Sequence, residues 1–288
     1  VSTTWFASPA EAADRLGATG YLTDAATATT AYLAGALEKP LLVEGPAGVG
    51  KTELAKAVAG AVGAELVRLQ CYEGLDEARA LYEWNYKKQL LRIQAAGDQG
   101  WQQTHDDIFT EEFLLTRPLL TAIRRDQPTV LLVDEVDKTD VEVEGLLLEI
   151  LSDFQVTIPE LGTMSAVRRP FVVLTSNASR ELSEALKRRC LYLHLDYPDA
   201  ARELEIIHRQ VPGLDERIAR QVVDTVGRLR DLDLKKAPSI AESVDWARTL
   251  VALEIGDLDE AAVNRTLGAV LKHASDHDRA VKELKLGS

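Results

Sequence analysis

Through the first two-thirds of the chain, strand-length apolar runs alternate with longer segments whose apolar positions recur at helical spacing. The runs lie at 41–43, 65–69, 130–133 and 171–174, with a fifth, less cleanly alternating, at 191–195. Gly, Pro, Asp or Asn bounds each of them, as the turns between elements require. Segment 51–62 carries Leu54, Val58 and Val62 in one stripe, and 141–151 gathers Leu147, Ile150 and Leu151 on one face. Segment 75–96 reads as a longer helix through Leu81, Trp84, Leu91 and Ala95. Segment 111–125 reads as a helix interrupted at Arg117-Pro118. Strands separated by helices predict an α/β fold: a parallel sheet with helices on both faces.

Two stretches break the alternation. The polar segment 97–110 reads as a loop. In 153–170, strand-like residues flank Pro159-Glu160-Leu161-Gly162, which predicts a hairpin. Beyond Pro198 only helices are predicted, at 199–210, 215–229, 239–255 and 259–274. The chain is therefore expected to divide into an α/β domain, 1–197, and a small all-helical domain, 198–288.

Composition narrows the class. With 46% apolar and 27% charged residues over 288 positions, the chain can bury a real core, so wholesale disorder is excluded. Thirty-three basic against 46 acidic residues leave a net charge of −13, which carries no overall footprint for nucleic acid. No apolar run is long enough for a membrane span. Segment 1–9 lacks the basic-then-apolar pattern of a secretory signal, so the expected compartment is cytoplasmic. Cys71 and Cys190 are too few for a disulfide framework and are expected to be reduced, buried thiols.

The chemistry is concentrated in four places. Gly45-Pro46-Ala47-Gly48-Val49-Gly50-Lys51-Thr52 is a GxxxxGK[ST] loop directly after a predicted strand and before a predicted helix, the context this motif demands. Its glycines let backbone N–H groups turn toward phosphate oxygens, and the helix start adds the positive end of its dipole. Lys51 then reaches the β- and γ-phosphates, Thr52 ligates Mg²⁺, and Glu53 follows in the first helical turn. At the C-terminal end of 130–133, where open parallel sheets bind ligands, stand Asp134, a second Mg²⁺ ligand, and Glu135, a proton acceptor for attacking water. Leu174-Thr175-Ser176-Asn177 ends another buried strand in polar groups able to hydrogen-bond a γ-phosphate or water. Lys187-Arg188-Arg189 offers guanidinium charge for a transferred phosphoryl group, or forms a solvated surface cluster.

These four motifs, in this order, resemble the AAA+ ATPases and, within them, the MoxR family. The landmarks are GPAGVGKT at 45–52, LLVDEVDK at 131–138, LTSN at 174–177, and LKRRC at 186–190 with DYP at 196–198. The segment 72–116 looks like the family's elaborated second-helix region, and 153–170 like its hairpin before sensor 1. The stretch CYEGLDEARALYEWNYKKQLL at 71–91 resembles the branch named for the carbon-monoxide-dehydrogenase accessory ATPase, CoxD-like. The resemblance implies a P-loop core of strand order 5-1-4-3-2, a helical lid, and a homo-oligomeric ring, usually a hexamer, hydrolysing ATP with Mg²⁺. It implies Asn177 as sensor 1 and Arg188, with Arg189 beside it, as the arginine finger acting on a neighbour. It places Tyr21 and Leu22 near adenine. It implies a partner with a von Willebrand factor A (VWA) domain and chaperone-like maturation of a client metalloenzyme. One departure stands out: where relatives carry a sensor-2 arginine in a Ser-Pro-Arg context, this chain reads Ala237-Pro238-Ser239-Ile240-Ala241-Glu242. Lys235 and Lys236 are the nearest cations.

The residues admit other readings. A nucleotide-gated binding module, in which ATP binding rather than turnover controls partner affinity, is the alternative that the missing arginine motivates. A DNA-directed motor of similar architecture conflicts with the net charge, and a small-molecule P-loop kinase fits the helical last third poorly. His273 and His277 stand four apart on a predicted helix, at metal-ligand spacing but without a clear third ligand. Trp84 and Tyr86 read as packing residues, or as an exposed contact face. Arg168-Arg169 reads as a surface pair or as ring-interface or pore contacts.

Overall fold

In the computed structural model, which describes residues 5–96 and 107–284, the apolar runs become a five-stranded sheet. Its strands are β1 (Leu41–Glu44), β2 (Glu65–Gln70), β5 (Thr129–Asp134), β8 (Phe171–Ser176) and β9 (Leu191–His194). They pair in parallel in the order β2-β5-β8-β1-β9. Counting these five alone along the chain, the order is the 5-1-4-3-2 expected above. Every residue of β5 and β8 is buried, which is why both read as unbroken apolar runs rather than alternations.

The chain divides into two compact units: residues up to Glu44 with Lys51–His194, and Gly45–Gly50 with residues from Leu195 onward. In the first unit, α3 (Lys51–Val62) packs on β2, β5 and β8, and α6 (Pro118–Arg124) on β2 and β5. Two helices precede the sheet that no periodicity predicted, α1 (Pro9–Ala18) and α2 (Ala25–Ala36). Ser8 caps the first by accepting from the Glu11 N–H at 3.1 Å, and Asp24 caps the second by accepting from Thr27 at 2.7 Å. Such caps contribute about 1 kcal/mol each. Ala and Thr fill α2 almost all round, so it shows no apolar stripe. Its Gly35 leaves room for Trp5, whose ring meets Phe171 edge-on at 5.3 Å.

Segment 75–96 is not one helix. It forms α4 (Glu77–Ala80), strand β3 (Tyr82–Trp84) and α5 (Tyr86–Ala96). β3 pairs antiparallel with β4 (Leu114–Thr116), which replaces the first half of the helix expected at 111–125. A Glu111–Phe113 turn of 3₁₀ helix leads into β4, and Pro118 starts α6 at its first position, where a missing N–H costs nothing. Asn85 restarts the helix after β3 by accepting from the Lys88 N–H at 3.1 Å. Trp84 is buried, whereas Tyr86 and Leu91 are exposed, so Leu91 is not the core position its spacing implied. The predicted loop 97–110 lies, up to residue 106, outside the described residues. After α7 (Val141–Asp153), β6 (Gln155–Ile158) and β7 (Gly162–Ser165) pair as a hairpin. Arg169, just beyond it, pairs with Glu38 at 2.9 Å.

The second unit is helical: α9 (Ala200–Gln210), α10 (Glu216–Arg230), α11 (Ile240–Ala252), α12 (Glu260–Thr266) and α13 (Ala274–Glu283). The helix expected at 259–274 stops at Thr266, and a new one begins at Ala274. Ile218, Val222, Val226 and Leu229 form the buried stripe of α10. At the end of α10, Arg230 donates twice to the buried Glu203 carboxylate, at 2.6 and 2.8 Å, and once to the Pro238 carbonyl at 2.8 Å. Asp276 accepts from the Lys235 and Lys236 N–H groups, at 2.9 and 3.2 Å. That carboxylate therefore anchors a turn instead of serving a metal. Among the described residues no three His, Cys, Asp or Glu side chains gather as metal ligands, so the His273–His277 spacing has no site around it.

Candidate functional site

The C-terminal ends of β2, β5 and β8 and the first turn of α3 bring the sequence-predicted polar residues of the first unit together. Lys51 opens α3, and its Nζ donates to Asn177 Oδ1 at 2.7 Å. Asn177 follows β8, and its Nδ2 donates to Glu135 Oε1 at 3.3 Å. The asparagine amide thus links the lysine of the GxxxxGKT motif to the carboxylate after β5. Thr52 Oγ1 donates to Asp134 Oδ1 at 3.0 Å. Glu53 stays outside this cluster, exposed and paired with Lys56 at 2.6 Å.

The backbone at Glu135 is left-handed, φ 58°, an uncommon conformation for a non-glycine residue. Its N–H donates to Thr175 Oγ1 at 2.8 Å, which ties the turn after β5 to the neighbouring strand β8. The Thr175 hydroxyl in turn donates to Asp134 Oδ1 at 2.5 Å. Asp137, buried two residues past Glu135, accepts from both the N–H and the hydroxyl of Ser179, at 3.0 and 2.5 Å. The two turns that carry Glu135 and Asn177 are therefore stitched at two levels.

Burial pushes the Lys51 ammonium below its ordinary pKa, opposed by the carboxylates of Asp137, Asp134, Glu135 and Glu44. Burial also opposes ionisation of Asp137, but the Ser179 hydrogen bonds prevail and hold its carboxyl below the usual range. Burial pushes the Cys71 and Cys190 thiols up to about 12, so both are protonated and inert at neutral pH.

Three participants escaped the sequence reading. Arg68 Nη2 lies 2.5 Å from Asp134 Oδ2, and Gln70 Nε2 donates to Glu135 Oε2 at 3.0 Å. Lys138 also donates to Glu135 Oε2, at 2.6 Å. Only the pairing of β2 beside β5, with Gln70 opposite Asp134, brings Arg68 and Gln70 there.

Arg188 and Arg189 end α8 (Glu184–Arg189), and the partners of Arg189 lie outside this network. Arg189 Nε donates to Ser152 Oγ at 2.6 Å, and its Nη1 to the Ala185 carbonyl at 3.2 Å. Arg188 is exposed and, among the described residues, has no side-chain hydrogen bond or ion pair. Tyr21 and Leu22 lie half-buried between α1 and α2.

The glycine loop belongs to the second unit by its contacts. Gly45 has φ +155°, and a Cβ there would meet the Leu195 carbonyl oxygen at 1.9 Å. Gly48 has φ +74°, and a Cβ there would meet Ser239 Oγ at 2.3 Å. Each glycine is thus required by a close approach as well as by its backbone. Ser239 is the N-cap of α11, in a capping box with Glu242, and Val49 lies buried in the same helical core. Lys236, near the missing sensor-2 arginine, pairs with Glu242 at 3.1 Å.

The profile of the AAA domain (dynein-related subfamily) matches residues 40–190, more than half of the chain. An uncharacterized protein of Staphylococcus haemolyticus is 26% identical over 243 residues, spanning 80% of this chain and 84% of that protein. Protein NorQ of Paracoccus denitrificans is 24% identical over 229 residues, spanning 77% and 75%. Among solved structures, a mutant of Thermotoga maritima RuvB superposes with a TM-score of 0.50 at 18% identity, over 91% of this chain and 70% of that one. That likeness shows a shared fold. Among the described residues no helix is long and apolar enough to cross a membrane. With the GxxxxGKT loop, the acidic pair ending β5 and the 5-1-4-3-2 sheet all in place, the chain belongs to the AAA domain family of ATPases, in its dynein-related subfamily.

Proposed function

We propose that this ATPase hydrolyses ATP with Mg²⁺ as a MoxR-type homo-oligomeric ring, a hexamer, and uses turnover to remodel a client protein. The observation that carries the hydrolytic reading is the bridge from Lys51 through Asn177 to Glu135. It sets a phosphate-binding cation, an orienting amide and a proton acceptor in one hydrogen-bonded line. The loop from Gly45 through Pro46, Ala47, Gly48 and Val49 to Gly50 surrounds the phosphates with the N–H groups of its non-proline residues. Tyr21 and Leu22 pack near adenine, and Glu53 lies in the first turn behind the loop.

Thr52 and Asp134 fit Mg²⁺ in chemistry: both are hard oxygen donors, and their oxygens lie 3.0 Å apart. Mg²⁺ takes one or two protein oxygens and completes its shell with phosphates and water, so a larger cluster is not needed. When bound, the ion would offset the negative charge of the phosphates. Glu135 accepts the proton of the attacking water. Lys51 offsets phosphate charge, and Asn177 holds that water or the γ-phosphate. Arg188, exposed at the end of α8, is free to complete a neighbouring protomer's site, whereas Arg189 is held by its own chain.

The client reading is a maturation factor for a metalloenzyme, working with a VWA-domain partner in the cytoplasm. The motif set and the CoxD-like stretch at 71–91 support it, and the net charge of −13 speaks against a nucleic-acid substrate. The test is turnover per protomer against protein concentration, with Glu135→Gln in parallel. A steep, saturating rise is expected of a site completed in trans, and Glu135→Gln is expected to bind ATP without turning it over. Normal turnover by that variant would remove Glu135 from its role. A flat, low rate in both would favour the nucleotide-gated module.

A further inference from the structure

Asp134 is buried, and its two oxygens are served separately. Oδ1 accepts from the hydroxyls of Thr52 and Thr175, at 3.0 and 2.5 Å. Oδ2 faces the Arg68 guanidinium at 2.5 Å. Arg68 reaches across from β2, where its side chain is 49% exposed, and its Nη2 also donates to Gln70 Oε1. An ionised carboxylate at this depth requires compensation, and hydroxyl donors alone leave its charge unpaired. The guanidinium supplies that charge, yet its half-exposed stem lets it swing into solvent at small cost.

We propose that Arg68 is the resident counter-ion of Asp134 and competes with Mg²⁺ for it, so that Arg68 sets the Mg²⁺ concentration at which the site loads. This rests on the assignment of Asp134 as a metal carboxylate. The competition has two parts. Oδ1 is the oxygen beside Thr52, so a guanidinium held on Oδ2 of the same carboxylate lowers the negative charge it can offer a metal at Oδ1. A divalent cation beside an arginine also meets direct repulsion across a few ångströms of low-dielectric space. By linkage, whatever the Arg68–Asp134 pair contributes to the metal-free protein is subtracted from metal affinity. Arg68 also touches Gln70, which donates to Glu135, so its departure alters the hydrogen-bonded surroundings of the proposed proton acceptor.

The test titrates Mg²⁺ against binding of a fluorescent, non-hydrolysable ATP analogue in wild type, Arg68→Gln and Asp134→Asn. In Arg68→Gln the Mg²⁺ midpoint is expected to fall about three- to tenfold, with analogue affinity at saturating Mg²⁺ unchanged. An unchanged or raised midpoint overturns the proposal. The titration is repeated at about 0.15 M and about 0.5 M ionic strength, because a purely long-range field is screened whereas a displaced contact is not. A shift that vanishes at the higher salt also overturns it. Failure of the site reading itself looks different: wild-type binding would then show no Mg²⁺ dependence, and Asp134→Asn would behave as wild type. A measurement without a variant guards against misfolding. In wild type, Mg²⁺ with the analogue should increase modification of Arg68 by phenylglyoxal, mapped by mass spectrometry, over the analogue alone. Equal modification counts against the competition.

Discussion

The Lys51 ammonium lies 2.7 Å from the Asn177 side-chain oxygen, and this bond decides which way the amide faces. With Oδ1 committed to a cation, Nδ2 turns to Glu135 and donates at 3.3 Å. Asparagine suits the position because one planar group offers an acceptor to the lysine and a donor to the carboxylate. Asn177→Ala should lower turnover about 100-fold with ATP affinity near wild type, the usual scale for losing one preorganised polar contact. Asn177→Asp should lower it further, because it sets a second anion against Glu135. Steady-state kinetics with a parallel binding assay separate the two effects. Turnover by Asn177→Asp equal to wild type would remove the amide from the mechanism.

The arginines at the end of α8 divide by their partners. Arg189 is tied to Ser152 and Ala185 of its own chain, and Arg188 is exposed. Arg188→Ala should leave thermal stability and ATP binding near wild type while lowering turnover about 10³-fold, as expected for a charge supplied in trans. Arg189→Ala should lower the melting temperature slightly and retain most of the turnover. Mixing Arg188→Ala with Glu135→Gln protomers checks the trans arrangement: one interface in a mixed ring recovers both residues, and activity returns. The reverse pattern of losses would exchange the two assignments.

How much of this was legible beforehand depends on how local each determinant is. The sheet was legible because buried parallel strands are continuous apolar runs, and 130–133 and 171–174 could scarcely pack otherwise. Lys51, Thr52, Asp134 and Glu135 could be singled out because each stands at a fixed place in one of two short motifs, and the structure brings their side chains into one hydrogen-bonded cluster. β3 was missed because Tyr82–Trp84 is three residues long, and Leu81 and Trp84 also fit a helical period. The pairing that makes it a strand is with residues 114–116, more than twenty positions away. Arg68 and Gln70 were missed for the same reason. Nothing local says that their strand lies beside β5, yet that register alone carries them to Asp134 and Glu135. The helices at 9–18 and 25–36 went unread, the second because α2 is Ala- and Thr-rich on nearly every side.

Acid should loosen the link that positions α8. Glu144 is buried, accepts from the Ser183 N–H at 3.0 Å and pairs with Arg180 at 2.5 Å, and Ser183 is the N-cap of α8. Burial opposes its ionisation, but the Ser183 bonds and the Arg180 charge prevail, so its folded-state pKa lies below the unfolded value. A depressed acid contributes stability that is complete above the unfolded pKa, about 4.3, and is lost as pH falls through the folded one. Glu144→Gln should therefore cost about 1–3 kcal/mol near neutral pH. That difference from wild type should shrink steadily as the medium is acidified below about pH 4. Urea unfolding across the acid range measures it. A difference that stays constant with pH would mean that the carboxylate's charge contributes nothing.

Gly48 faces two separate demands, and a double-mutant cycle can divide them. Its φ of +74° is strained for any residue with a side chain, and a Cβ would come within 2.3 Å of Ser239 Oγ and 2.4 Å of Ser239 Cβ. Gly48→Ala should therefore lose stability twice over, about 1–2 kcal/mol from the backbone and a further part from the clash. Ser239→Gly removes the obstructing atoms but also the α11 cap and its capping box, at about 1 kcal/mol on its own. If the clash is real, the two substitutions together should cost less than the sum of the singles, with the φ portion remaining. The same cycle read by ATP affinity asks whether Ser239 holds the glycine loop in its binding shape. Coupling in stability and in affinity would assign that role to the start of α11, the stretch that lacks the expected arginine. Strict additivity in both would mean that the loop keeps its shape without Ser239.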